Sequence, residues 1–202
     1  MTKTTDHDDR GSEVAALRAE IDRLKTELNQ AEWKIAEMEA RGDTDSLLDI
    51  LNRRGFEREL GRSLAFVKRY GATARLVYID LDGFKAVNDR HGHAAGDALL
   101  KAVAQAISAN VRASDVVARF GGDEFGVLMW HIDEERALIK AADLEAKIEQ
   151  VRVPFGAATL SAGASAGVAM LDPNADVATA IDTADKAMYS RKSERKERAK
   201  SV

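Results

Sequence analysis

In the stretch RFGGDEFGVL (residues 119–128) two carboxylates, Asp123 and Glu124, follow a double glycine between two short apolar runs. A second acidic pair, Asp80 and Asp82, stands at the end of the apolar run that begins at residue 74, ARLVYIDLD. Neighbouring acids repel and raise each other's pKa unless a cation neutralises them, and neither pair holds a lysine or arginine. Only oxygen ligands are on offer, so the ion that suits them is a hard one, Mg²⁺ or Mn²⁺, of the kind that meets substrate phosphates. The plainer alternative makes Asp123 and Glu124 polar residues of a turn. Just past the strand-end acids the chain bends at DGFK into a helix, whose unpaired first N–H groups, with Lys85 beside them, suit a phosphate. Lys85 as an ordinary surface charge is the competing reading.

For these acids to meet, the elements that carry them must lie side by side. Residues 74–81 form a continuous apolar stretch, as a central strand should. Residues 116–120 and 125–130 read as two further strands joined at Gly121 and Gly122, because glycine accepts the positive φ of a tight hairpin. A hairpin paired beside the first strand brings the acids together at a strand end, where open α/β sheets place ligands. Helices are expected over about 47–70, with Asp45 or Ser46 as the cap, over a short segment after residue 82, and over 94–111, 133–151 and 176–192. The run TLSAGASAGVAML (159–171) adds one or two strands. This order predicts an α/β fold with a central mixed β-sheet flanked by helices.

The 202 residues, 45% of them hydrophobic, suit one domain and an appendage. A net charge of -4 gives no electrostatic reason to expect a nucleic-acid polymer or an anionic membrane as partner. The absence of cysteine excludes a disulfide, a thiolate nucleophile and a zinc thiolate site. No run approaches the ~18 apolar residues of a membrane span and residues 1–12 are polar, so a cytoplasmic protein with a disordered N-terminus is expected. From Val14 the pattern changes: Val14, Leu17, Ile21, Leu24, Leu28, Ala31, Ile35 and Met38 are spaced alternately three and four apart. This heptad seam, β-branched at most a positions, predicts a parallel two-stranded coiled coil over residues 13–42 and hence a homodimer. A single amphipathic helix packed on its own domain is the alternative.

Six segments now stand in an order that resembles the GGDEF-domain diguanylate cyclases: NRRGF at 52–56, DLDGFKAVND at 80–89, GHAAGD at 92–97, RASD at 112–115, GGDEF at 121–125 and ADKAMYSRK at 184–192. The resemblance implies a nucleotidyl-cyclase, palm-like domain over residues 43–192, with a basic tail at 193–202. It implies that Asp80 and Asp123 hold Mg²⁺ or Mn²⁺ with the Leu81 carbonyl assisting, and that Glu124 is a further ligand or the group that activates the ribose hydroxyl. Asn88 and Asp97 would read guanine, an aspartate being able to accept from N–H groups that adenine lacks on that edge. Gly83, Phe84, Lys85, Arg119, Gly122, Lys192 and Lys196 would contact the rest of the substrate. The reaction implied is attack of one GTP 3′-hydroxyl on the α-phosphate of another, expelling pyrophosphate, and a repeat of the step to close cyclic di-GMP. One domain holds one GTP, so two must face each other, which gives the coiled coil its task.

Arg112 and Asp115 form the RxxD pair at which the family binds its product as an inhibitor; an ordinary i,i+3 ion pair is the alternative. His91 and His93 lack a third nitrogen ligand and are read as shaping their loop. Two departures stand out. DSLLDIL puts Leu48 and Asp49 where the family has Thr and Gly, and SERKERAKSV replaces the family's G-R-N and closing strand. A catalytically inactive receptor for cyclic di-GMP, or a dimeric scaffold, is the competing function; retention of Asp80, Asp123 and Glu124 argues against it.

Overall fold

The computed structural model describes residues 18, 20, 21, 23–30 and 42–200, with side chains through residue 194. The chain divides into two units, residues 1–42 and 43–202. In the first, the described residues between 18 and 30 are helical, and Ile21, Leu24 and Leu28 are 49%, 52% and 58% exposed. The remainder of the heptad seam and residues 1–12 lie outside the described residues.

The second unit runs β1 (Leu51–Asn52), α1 (Arg53–Tyr70), β2 (Ala74–Asp82), α2 (Phe84–His91), α3 (His93–Ala109), β3 (Val116–Gly121), β4 (Glu124–Trp130), α4 (Glu134–Glu149), β5 (Val153–Phe155), β6 (Ala158–Leu160), β7 (Gly163–Met170) and α5 (Val177–Lys200). Five strands form one sheet in the order β1-β3-β4-β2-β7, and β5 and β6 pair apart from it. β1 lies parallel to β3 and the remaining neighbours are antiparallel, so the sheet is mixed, as expected.

The apolar run of β2 has the cause proposed for it: both its faces are buried. Val77, Ile79 and Leu81 join Leu99 and Val103 of α3 and Leu144 of α4 in one core. Leu76 and Tyr78 join Phe56 and Leu60 of α1 and Ala184 and Met188 of α5 in the other. On the second face α5 lies directly on β7, because a Cβ at Gly167 would stand 2.0 Å from the Met188 backbone nitrogen. Only a residue without a side chain permits that approach. At the outer edge of β7 the buried Glu145 of α4 accepts the Ala166 N–H at 2.8 Å and pairs with Arg191 of α5 at 3.2 Å.

Two helix boundaries differ from expectation. The helix expected from about residue 47 starts at Arg53. Asp45 does not cap it: its Oδ1 accepts the Leu47 N–H at 2.9 Å in a local turn, and Asn52 caps α1 by accepting the Gly55 N–H at 2.9 Å. Leu51 and Asn52 are thereby free to pair with Ala118 and Arg119. Just before β1, Asp49 adopts a φ of 52°, in the left-handed region that favours glycine. At the other end, the helix expected to stop at residue 192 and give way to a basic tail continues through Lys200. No glycine or proline interrupts residues 177–200. Among the described residues no helix is long and apolar enough to cross a membrane.

Candidate active site

The hairpin of β3 and β4 does pair beside β2, and the register sets Asp80 opposite Glu124. Residues alternate across a strand, so both acids share the sheet face of Tyr78, the face covered by α1 and α5. Asp123 stands in the turn just before Glu124, and its carbonyl accepts the Leu81 N–H at 3.1 Å, tying the turn to the end of β2. The double glycine makes this turn possible: Gly121 and Gly122 have φ of 144° and 52°, and the pairing register shifts between Arg119 and Gly121.

Arg119 holds the turn from below. Its Nε and Nη2 donate to the Gly122 carbonyl at 3.0 and 2.8 Å, and its Nη1 lies 3.3 Å from Asp45 Oδ2. The guanidinium implied as a phosphate contact is therefore committed to the backbone of the double glycine and to the segment leading into the domain. Gly122 enters the same clamp through its carbonyl.

The strand-end acids have a counter-charge of their own. The Lys192 ammonium of α5 bonds Asp80 and lies 3.3 Å from Asp82 Oδ1, while Ser165 Oγ of β7 donates to Asp82 Oδ2 at 2.8 Å. Burial works to lower the Lys192 pKa, but its bonds to Asp80 and Asp82 outweigh that and raise it. Among the described residues the hairpin acids form no such ion pair, although the charges of Lys192 and Arg119 work to lower Asp123. Burial pushes Asp123 up from the usual carboxylate range and the nearby charge of Asp80 adds to it. Glu124 is raised by burial first and then by Asp80 and Asp123, against a hydrogen bond from Tyr78 that works to lower it. The Tyr78 hydroxyl is itself pushed up by burial and by the charge of Glu124. Glu124 and Tyr78 line a cavity of about 570 Å³ with Arg53 and Asp185.

Three mutually repelling carboxylates form a hard-oxygen donor set with excess negative charge, which fits a divalent cation such as Mg²⁺ or Mn²⁺. As the side chains stand, no three carboxylate or imidazole groups among the described residues close on a common point. The sheet brings the predicted ligands to one end but does not arrange them as a ready cage. His91 and His93, at the end of α2 and the start of α3, form no such group either.

Asn88 and Asp97 belong to α2 and α3. The Asn88 Oδ1 is buried with no hydrogen-bond partner, and it lies where a Cβ of Gly96 would be, 2.0 Å from that position. Glycine at 96 thus lets the amide tuck between the helices, beside the exposed Asp97. A buried orphan acceptor is costly unless something else completes it. The start of α2 has no side-chain cap: Gly83 takes a φ of 82° there, Phe84 is buried and Lys85 exposed.

Arg112 and Asp115 lie by the opposite end of the sheet, where Trp130 pairs with Ala74. They do not form the i,i+3 side-chain ion pair. Asp115 Oδ2 accepts the backbone N–H of Arg112 at 2.9 Å and its Oδ1 accepts that of Trp130 at 3.3 Å, and among the described residues the exposed Arg112 guanidinium has no ion-pair partner. The side chain of Lys196 lies outside the described residues. Sequence reasoning did not single out Tyr78, Ser165 or Trp130; the alternation that puts Tyr78 on the face of Asp80 was the signal available for the first of them.

A family model described as "Diguanylate cyclase, GGDEF domain" matches residues 42–198. The chain is 40% identical over 149 residues to the probable diguanylate cyclase DgcE of Escherichia coli, covering 73% of this chain and 14% of that protein. It is 34% identical over 182 residues to the diguanylate cyclase TpbB of Pseudomonas aeruginosa, covering 89% of this chain and 41% of the relative. The chain thus spans less than half the length of these curated relatives. Among solved structures, the GGDEF domain of DgcB from Caulobacter crescentus in complex with c-di-GMP superposes with a TM-score of 0.71 at 26% identity, covering 75% of this chain and 91% of that one.

Proposed function

Because the chain belongs to the GGDEF diguanylate cyclase family, we propose that it condenses two molecules of GTP into cyclic di-GMP and pyrophosphate, in the cytoplasm, as a dimer restrained by its own product. The observation that carries this reading is the register that sets Asp80 opposite Glu124 with Asp123 in the adjoining turn. The relatives named as diguanylate cyclases and the c-di-GMP held by the DgcB domain support it.

In this reading a divalent ion held by Asp80, Asp123, Glu124 and the Leu81 carbonyl supplies Lewis-acid stabilisation of phosphoryl charge. The chain's own groups do the rest. The orphan Asn88 Oδ1 and the Asp97 carboxylate accept from guanine N–H groups, which selects GTP over ATP. The uncapped start of α2 at Gly83 and Phe84, with Lys85, holds phosphate oxygens. Lys192 exchanges its hold on Asp80 for a phosphate, and Lys196 adds charge on the same helix. Glu124, its pKa raised by burial and by the neighbouring acids, is suited to accept the proton of the attacking 3′-hydroxyl. Arg119 acts indirectly, holding the double-glycine turn that presents both acids.

The decisive assay is incubation of the purified chain with GTP and Mg²⁺. Wild type is expected to form cyclic di-GMP and pyrophosphate, and Asp123→Asn and Glu124→Gln to form none. Wild type without turnover under these conditions, yet binding cyclic di-GMP through the exposed Arg112, would establish the receptor reading instead. Two domains must meet for the reaction, and the exposed Ile21, Leu24 and Leu28 form the proposed coiled-coil seam. Ile21→Glu with Leu28→Glu is expected to shift the chain toward monomer in sedimentation and to lower activity at dilute protein; an unchanged sedimentation profile would assign dimerisation elsewhere.

A further inference from the structure

A positive charge of the chain's own stands against the strand-end acids. The Lys192 ammonium bonds Asp80 Oδ1 and lies 3.3 Å from Asp82 Oδ1, so one cation bridges two carboxylates. Ser165 Oγ donates to the other Asp82 oxygen at 2.8 Å, which leaves Oδ1 for the lysine. The side chains of Lys192 and Asp80 are only 21% and 17% exposed, so water and salt screen this pair less than one on the open surface. The other cations nearby are placed differently: Arg119 is committed to the Gly122 carbonyl and Asp45, and Lys85 is exposed.

The fold sets the reach of this lysine. α5 comes down onto β7 at Gly167, against the Met188 backbone. Lys192 follows four residues later, about 6 Å along the helix. Ser165, which pairs with Asp80, stands two residues before Gly167, about 6.7 Å along the strand. The two steps match with α5 running antiparallel to β7, and the ammonium arrives level with Asp80. Its hold also accounts for the absence of a ready cage. Asp80 and Asp82 are turned to α5 while Asp123 and Glu124 remain with the hairpin, and no three such groups among the described residues close on one point. An ammonium and a divalent ion cannot both sit against Asp80, because like charges at contact distance repel.

We infer that Lys192 is a built-in competitor of the divalent ion: in the nucleotide-free chain its ammonium occupies Asp80 and Asp82, and the phosphates of GTP, by drawing it away, open these acids so that nucleotide and ion enter together. This rests on the proposed function for the identity of the anion that draws the lysine off; the competition at Asp80 does not. The coupling is reciprocal, since an ion that takes Asp80 frees the ammonium for a phosphate.

The test is Mn²⁺ binding to the nucleotide-free full chain, read from the loss of the free-ion EPR signal. Lys192→Met, with Lys192→Gln as a second variant should the first not fold, is expected to bind Mn²⁺ about tenfold more tightly than wild type, the factor for a lysine that holds the acids about nine-tenths of the time. Lys192→Arg keeps a cation in place and should bind as weakly as wild type, and Asp80→Asn added to Lys192→Met should remove the gain. Lys186→Met takes the same charge from an exposed pair with Asp182 on α5 and should change Mn²⁺ affinity by about twofold or less. Equal affinity in wild type and the folded Lys192 variants would overturn the inference, as would an equal gain in Lys186→Met, which would assign the effect to net charge. GTP turnover by wild type with no gain in the variants would leave the enzyme standing and remove the competitor. A gain that depends on Asp80, in a chain that never turns over GTP, would refute the enzymatic reading and keep the competitor.

Discussion

Alanine at position 96 would place a methyl carbon 2.0 Å from Asn88 Oδ1, 2.9 Å from its Cγ and 3.1 Å from the Phe84 ring. The first two atoms are the end of a flexible side chain, so the amide, not the backbone, gives way. Gly96 lies within α3, where alanine is the better helix former by roughly 0.5–1 kcal/mol, which offsets much of the crowding against Phe84. Stability should therefore change little. Binding should not be spared: an Asn88 rotated from between the helices would lose the proposed bond to guanine, worth about 0.5–1.5 kcal/mol or about 2- to 12-fold in affinity. The assay is initial rate against GTP concentration, with thermal melts of the same samples. Gly96→Ala should raise KM for GTP within that range while kcat stays within about twofold, and Asn88→Ala in the Gly96→Ala background should add almost nothing. A folded Gly96→Ala with unaltered KM, or fully additive effects of the two changes, would refute the placement of Asn88 in the guanine site.

Gly167→Ala has no flexible atom to displace, since its Cβ meets the Met188 backbone, and should cost about 1–3 kcal/mol, lowering Tm by roughly 3–10 °C in calorimetry. Asp49→Gly relieves the left-handed backbone and should stabilise by about 0.5–1 kcal/mol in denaturant melts, whereas Asp49→Val should destabilise. Glu124 has its folded pKa raised above the ordinary 4.5, so the folded state holds its proton longer and stability falls as pH rises from 4.5 through the folded pKa. In protein stripped of divalent ions, Glu124→Gln should therefore melt higher than wild type at neutral pH, an advantage that fades as the pH drops below about 4.

How much of this was written in the sequence depends on the range of the force that fixes each part. β2 was legible because burial on both faces leaves a continuous apolar run, and the hairpin because Gly121 and Gly122 serve a local turn. Their meeting at Asp80 and Glu124 followed from topology alone. β1 was hidden because two residues, Leu51 and Asn52, carry no periodicity; they are a strand only where β3 supplies partners. The role of Arg119 turned on a contact across 74 residues to Asp45, and Lys192 reaches Asp80 across 112. Such contacts leave no local pattern. Nor could Asp115 be told from a simple ion-pair residue without the Trp130 backbone beside it.

The carboxylate that Glu145 offers to Ala166 bears on which edges of this domain stay open to another strand. β7 is an outer strand, and an outer strand with open N–H groups invites a visiting strand to extend the sheet. Here a buried acid already occupies one of those donors, and Arg191 braces the acid from α5. Sheet-to-sheet growth is thereby discouraged at the very edge where it would trap two domains side by side. Association between copies, where it occurs, is thereby directed to surfaces other than this strand edge.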